Sequence, residues 1–328
     1  MTTVVEAFRQ ARIHAARHMA ACEAARLTWG EPAITEVVIA QAAKAPAVTV
    51  YPFTQRAEAI SGADWIWWCV DRTSAYGMLV QAKRLTLKGG RWGFDFGYRI
   101  GGTKSGRLQR EVLCSTAQQL NLLPVYALYL GTGDYRQWTP CPADHHRGRC
   151  LGCVKRAVSL MPALLASDLI DSATSTYESS VALEELWTPT TKPTSLLPIL
   201  KTRLAPDLSE LLQSPQQGTC AVTRAMIERV LQQRAAHFSA ATATYTTLGG
   251  HDKLGPVFNQ VPDDKGHFNI PYFSHVLDPL LRTTPDYVLE LMTSNHPSEH
   301  PPPRVPDNVS GIVVVRSPNI GAPDDHTA

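Results

Sequence analysis

The chain has 328 residues, 44% of them hydrophobic and 18% charged, with a net charge of +2. At roughly 150 residues per domain, this length predicts about two domains, and the composition excludes a disordered chain. No apolar run reaches the roughly 18 residues a membrane span needs, and the N-terminal stretch MTTVVEAFRQARIHAARH has no apolar signal core, so a cytoplasmic protein without membrane contact is expected. The small net charge hides an asymmetry. Residues 1–156 hold 20 Lys and Arg against 11 Asp and Glu, whereas the remaining 172 hold 11 against 18. A basic half joined to an acidic half points to a polyanionic partner for the first.

In chain order, 4–27 is rich in Ala, Arg and Glu, with apolar residues at helical intervals, and predicts a helix. Trp29-Gly30 ends it, and Pro32 suits the first turn of a second helix running to about residue 45. The period then shortens. Segments 48–53, 63–70 (ADWIWWCV) and 76–83 (YGMLVQAK) read as strands, followed by a basic, glycine-rich loop over 84–106. A helix over 108–120 and a strand over 124–130 complete an α/β pattern around a small mixed sheet. Beyond a cysteine-rich loop, 154–170, 222–236 and 285–292 read as helical. Five prolines between Asn295 and Asn308 suggest a linker, and 311–315 is a late strand-like run before a polar tail.

The chemistry concentrates in Gly62-Ala63-Asp64, ahead of one strand, and Gln81-Ala82-Lys83, closing the next. Side chains alternate along a strand, so Gln81 and Lys83 share a face, and Asp64 can reach that face if the two strands are neighbours. A carboxylate, an amide oxygen and an ammonium held together suit phosphodiester hydrolysis: oxygen ligands hold Mg²⁺, and the lysine orients or activates water. Glu36 on the preceding helix would add a second carboxylate. Glu58, six residues before Asp64, is either a further ligand or a surface acid.

These residues, in the order helix-borne Glu, G-x-D strand, Q-x-K strand, helix, strand, resemble the PD-(D/E)XK restriction-endonuclease-like superfamily. The nearest variant is the Q-x-K branch of Mrr-type restriction enzymes and antiphage nuclease effectors. The resemblance covers residues of about 30–130. It implies a restriction-endonuclease-like core, a mixed central sheet flanked by helices. It also implies Mg²⁺ or Mn²⁺ on Asp64, Gln81 and Glu36, Lys83 beside the water, DNA as substrate and a role in defence against foreign DNA. With the resemblance for the first part and composition and periodicity for the rest, the expected division is a nuclease domain over 1–135, a Cys/His-rich connector over 136–156, a mainly helical C-terminal domain over 157–294 and a Pro-rich linker and tail over 295–328. An activating ligand or protein is a further expectation of the resemblance, and the C-terminal half is a candidate for selecting a sequence, sensing a ligand or building a homo-oligomer.

The charge pattern points the same way. Between Gln81 and Arg110 lie Lys83, Arg84, Lys88, Arg91, Arg99, Lys104, Arg107 and Arg110, opposed by Asp95 alone, with Trp92, Phe94, Phe96 and Tyr98 interleaved. Cations neutralise phosphates and aromatic faces stack on bases, so Arg84, Lys88, Arg91, Arg99, Lys104 and Arg107 are candidate nucleic-acid contacts. Alternatively, this is a solvated loop whose aromatics cap the core. A second constellation, Cys141, His145, Cys150 and Cys153, has short spacings that would close a structural Zn²⁺ site, the alternative being reduced thiols in a turn. The stretch GYRIGGTKS imitates a phosphate-binding loop but breaks its Gly-Lys-Ser/Thr ending. The rival to an enzyme is a zinc-stabilised nucleic-acid-binding protein with a degenerate nuclease fold and no catalysis.

Overall fold

The computed structural model describes residues 3–53, 65–100, 106–131, 151–166, 176, 179–194, 206–247, 276–294, 302, 305–306 and 309–317, with only the backbone at 151, 206, 207 and 233–247. Two helices, α1 (Val4–Ala24) and α2 (Glu31–Ala42), lead into β1 (Val48–Pro52). Thr3 caps α1, its side chain accepting from the Glu6 amide, and Pro32 occupies the first turn of α2. Next come β2 (Trp65–Val70), β3 (Ala75–Arg84), the short strands β4 (Thr86–Lys88) and β5 (Arg91–Gly93), α3 (Gln109–Gln119) and β6 (Leu123–Tyr129). The rest holds α4 (Leu151–Lys155), β7 (Val158–Pro162), β8 (Val181–Ala182), α5 (Pro206–Gln213), α6 (Gly218–Thr247), β9 (Leu280–Leu281), α7 (Asp286–Thr293) and β10 (Gly311–Arg316).

Eight strands make one mixed, mostly antiparallel sheet in the order β1-β10-β2-β3-β6-β7-β8, with β9 pairing the start of β3. The pairs β10/β2 and β3/β6 are parallel; the other neighbours run antiparallel. A parallel pair needs a crossover, and α3 provides it between β3 and β6. Helices cover both faces. Trp67 and Trp68 are successive strand residues and point to opposite sides: the Phe8 ring of α1 stacks 5.7 Å from Trp67, while the Trp68 indole donates to the Tyr287 hydroxyl of α7 at 2.9 Å.

This α/β sheet agrees with the sequence expectation, but it draws on the whole chain. β7 and β8 arise within the stretch expected to be mainly helical, and β10 within the stretch expected to be linker and tail. β10 lies between β1 and β2, its residues 311–315 all buried. The helix expected over 154–170 gives way at 158 to β7, which pairs with β6. A short apolar run buried on both faces has no period that separates strand from helix, so only the vacant edge of β6 decides it. The loop expected over 84–106 contains the β4–β5 hairpin. Its two-residue turn is Gly89-Gly90, with φ of 56° and 76°, the left-handed geometry that matches strand twist and that glycine adopts without strain.

Two polar contacts lock the late segments on. Arg12 of α1 donates to Glu184 at 2.6 Å with both side chains buried, and such a pair, if broken, leaves an uncompensated buried charge. Asp71, in the β2–β3 turn, accepts from Thr73 and Ser74 through one oxygen and from Thr219 at the start of α6 through the other.

Two outcomes follow from this architecture. A fragment of residues 1–135 lacks β7, β8 and β10, so it is expected to show no cooperative thermal transition by circular dichroism, whereas the full chain shows one. For Asp71, burial alone would raise the carboxyl pKa, but hydrogen bonds from Thr219, Thr73 and Ser74 outweigh it and hold the value below the usual 3.8. A depressed folded pKa contributes stability above the unfolded value and loses it as pH falls through the folded one. Asp71→Asn is therefore expected to cost about 1–2 kcal/mol at neutral pH, the lower part of the range because the carboxyl is half exposed. In urea titrations the gap between variant and wild type should shrink below about pH 4.

Candidate functional site

Gln81 and Lys83 share the face of β3 that α3 crosses, and Arg84 turns to the other side. There the Arg84 guanidinium donates to the Trp29 carbonyl at 2.8 Å, and the Arg84 amide donates to Glu31 Oε1 at 2.8 Å. Glu31 opens α2, and Thr35 one turn later donates to the Glu31 carbonyl and shares a 2.7 Å hydrogen bond with the Tyr129 hydroxyl of β6. The start of α2 is thereby pinned over the C-terminal ends of β3 and β6. Glu31, Lys83, Arg84, Lys88, Tyr98 and Gln109 contribute to the walls of a cavity of about 520 Å³ at this corner.

Lys83 is only 6% exposed. Its ammonium donates to Gln109 Oε1, in the first turn of α3, at 2.5 Å and lies 5.9 Å from the centre of the Tyr98 ring. Gln81 is 2% exposed, and among the described residues neither end of its amide has a hydrogen-bond partner. Tyr126, its register neighbour on β6, likewise has a buried hydroxyl with no partner among the described residues. A buried polar group left unpaired costs about 1–3 kcal/mol, so the Gln81 carbonyl oxygen is an acceptor suited to a hydrogen-bond donor or, as a ligand, to an oxygen-seeking cation. Burial pushes the Tyr126 phenol up, with Cys114 adding and Arg110 opposing. Burial likewise pushes the Cys114 thiol to about 12, against the opposing pull of Arg110, so it is neutral at physiological pH and no nucleophile.

The other predicted residues are distributed unevenly. Glu36 is exposed on α2, opposite the face formed by Ile34, Thr35, Val38 and Ile39, and does not join the cavity. The 3.6-residue period explains this: the buried positions leave Glu36 turned to solvent. Asp64 and Glu58 lie outside the described residues. β2 begins directly after Asp64 at Trp65, which pairs with Val80, the residue before Gln81. In the basic segment, Lys88 is paired with Asp95 at 2.7 Å and the Arg99 guanidinium donates to the Gly106 carbonyl at 2.7 Å. Arg91 and Arg107 are exposed, and Lys104 lies outside the described residues.

Of the four interleaved aromatics, Phe94 and Phe96 are core residues, Phe96 tilting against Tyr126 at 4.8 Å, and Trp92 is half-buried. Tyr98 is 47% exposed. Cys141, His145 and Cys150 lie outside the described residues; Cys153 is buried on α4. Among the described residues no three His, Cys, Asp or Glu side chains gather as a metal site, and no helix is long and apolar enough to cross a membrane. Sequence reasoning missed Glu31 and Gln109. The first was legible as an acid beside Pro32 at a helix start; the second carried no signal before α3 brought it to Lys83.

Residues 4–319 match a family described as a family of unknown function, DUF6615. The chain belongs to DUF6615. Neither a curated protein nor a solved structure matches it. The match runs from the first residue of α1 past the end of β10, so the DUF6615 unit takes in the whole sheet and the Lys83 cavity.

The Lys83–Gln109 contact has a direct stability readout. Gln109→Ala removes the acceptor from a buried ammonium and is expected to lower stability by about 1 kcal/mol in urea titration, discounted for the partial exposure of Gln109. Gln109→Glu, which keeps an acceptor and adds a charge, is expected to recover that loss. Wild-type stability in Gln109→Ala would show that the contact contributes nothing.

Proposed function

We propose that this DUF6615 protein is a metal-dependent nuclease whose active site is the cavity at the C-terminal end of β3. The observation that carries the reading is the buried amide of Gln81, which has no hydrogen-bond partner among the described residues and lies two residues before a buried lysine that lines the cavity. The mixed sheet with its β3–α3–β6 crossover supports a restriction-endonuclease-like core. In this reading Gln81 and Asp64 would hold Mg²⁺ or Mn²⁺. Asp64 directly precedes Trp65 in the sequence, and Trp65 pairs with Val80, the residue before Gln81. Glu31 takes the place that the sequence resemblance assigns to Glu36.

When bound, the metal supplies a Lewis acid that offsets charge building on the phosphoryl oxygens. The chain's own groups do the rest. Lys83 offers a proton-bearing ammonium to a phosphoryl oxygen or to the attacking water, in surroundings where low dielectric strengthens its field. Gln109 fixes the direction of that ammonium from one side and Tyr98 covers it from another. Water attacks phosphorus and the ester P–O bond breaks, leaving a phosphate monoester and a free hydroxyl. DNA as the substrate and defence against foreign DNA rest on the resemblance alone.

The test is cleavage of plasmid and single-stranded DNA with Mg²⁺ or Mn²⁺, comparing wild type with Asp64→Ala, Gln81→Ala and Lys83→Ala, each checked for folding by circular dichroism. Loss of at least about a hundredfold in rate is expected for Lys83→Ala. Binding of DNA without cleavage by folded wild type, in every metal and with candidate activators, would favour the non-catalytic binding protein instead.

A further inference from the structure

The cavity also bears on which form of nucleic acid the protein accepts. One of its cations, Lys83, is recessed at 6% exposure behind walls drawn from the α1–α2 connection, the β4–β5 hairpin and the start of α3. A phosphate must descend to it. A duplex is stiff over about 150 base pairs and carries its phosphates on the outside of a rod, so reaching a recessed group requires costly deformation. A single strand turns one nucleotide inward at far lower cost.

Charge at the rim points the same way. Glu31 and Asp95 line the cavity beside the cations, and Lys88 is already paired with Asp95. Arg99 is turned back onto the Gly106 carbonyl. Duplex DNA carries one negative charge per roughly 1.7 Å of axis and is gripped by an unbroken cationic track, which this rim interrupts with acids. What the rim does present is an aromatic surface. Tyr98 is half exposed, lies against the Lys83 ammonium and lines the cavity, whereas Phe94 and Phe96 are consumed by the core.

We infer that the Lys83 cavity accepts single-stranded nucleic acid, with one unpaired base stacked on the exposed Tyr98 ring while its neighbouring phosphate reaches Lys83. This rests on the nuclease reading for the identity of the polyanion. Base stacking tolerates any base, so the interaction selects strandedness rather than sequence.

The experiment is fluorescence anisotropy of the full chain in EDTA, so that binding is read without cleavage, using oligothymidylate, oligouridylate and a hairpin duplex of matched length. Single strands are expected to bind at least about tenfold more tightly than the duplex. Tyr98→Ala is expected to weaken single-strand binding about tenfold with little change for the duplex, and Tyr98→Phe to keep wild-type affinity. The oligothymidylate and oligouridylate arms separate DNA from RNA as the source of the strand. Equal affinity for duplex and single strands, or an unchanged single-strand affinity in Tyr98→Ala, would overturn the inference. Metal-dependent cleavage of duplex that is indifferent to Tyr98 would overturn it and leave the nuclease reading standing. Tyr98-dependent single-strand binding without cleavage in any metal would do the reverse.

Discussion

A strand inside a sheet has to satisfy hydrogen bonds along both of its edges, and in this protein β2 can do so only when β10 arrives from near the other end of the sequence. β10 pairs in parallel with β2 and antiparallel with β1. Without it the edge of β2 would present unpaired amides and carbonyls in the middle of an apolar layer, where each costs more than the roughly 1 kcal/mol that a made bond contributes. β2 in turn sets the register of β3, and β3 carries Gln81 and Lys83. The candidate site therefore depends on a closure between residues more than two hundred positions apart. The Arg12–Glu184 pair and the Asp71 contacts with Thr219 bring the intervening segments to the same sheet.

The corner where the chemistry gathers is assembled from four places. The end of β3 supplies Lys83 and the backbone amide of Arg84, the α1–α2 connection supplies Trp29 and Glu31, the start of α3 supplies Gln109, and the segment after the hairpin supplies Tyr98. Backbone geometry brings these elements to the corner, and the long side chains of Lys83, Gln109, Glu31 and Arg84 make the contacts. The parallel β3–α3–β6 crossover lays α3 across the face that Gln81 and Lys83 occupy. The hydrogen bond between Thr35 and Tyr129 keeps the first turn of α2 over the neighbouring strand. Several rigid elements converging on one recessed cation is an arrangement suited to holding a charge in a fixed direction, which is what electrostatic stabilisation of a transition state requires.

The basic segment shows how composition and structure divide the work. Eight cations against one acid promised a uniform phosphate grip. Folded, four members of that segment have separate duties, while Arg91 and Arg107 are exposed. Arg84 ties strand to helix connection, Lys88 pairs with Asp95, Arg99 closes its own loop, and Lys83 is buried in the site. The aromatics divide in the same way, two into the core and one to the rim. Charge counts report how many groups exist, but backbone carbonyls and single acids decide where each one points.

Much was legible in the sequence because it depends on local period and turn chemistry. The helices near 4–24, 31–42 and 109–119 have apolar residues at helical spacing, the strands β1, β2, β3, β6 and β10 are short runs rich in β-branched and aromatic residues, and the two-residue alternation alone places Gln81 and Lys83 on one face. What local pattern cannot hold is partnership. Nothing near 311–316 says that it lies between β1 and β2, nothing near 158–162 says that the open edge of β6 will make it a strand, and no spacing links Gln109 to Lys83 or brings Glu31 rather than Glu36 to the cavity wall. These are decided by which hydrogen-bonding edge and which apolar face remain to be covered once the rest of the sheet has formed, a condition that exists only in three dimensions.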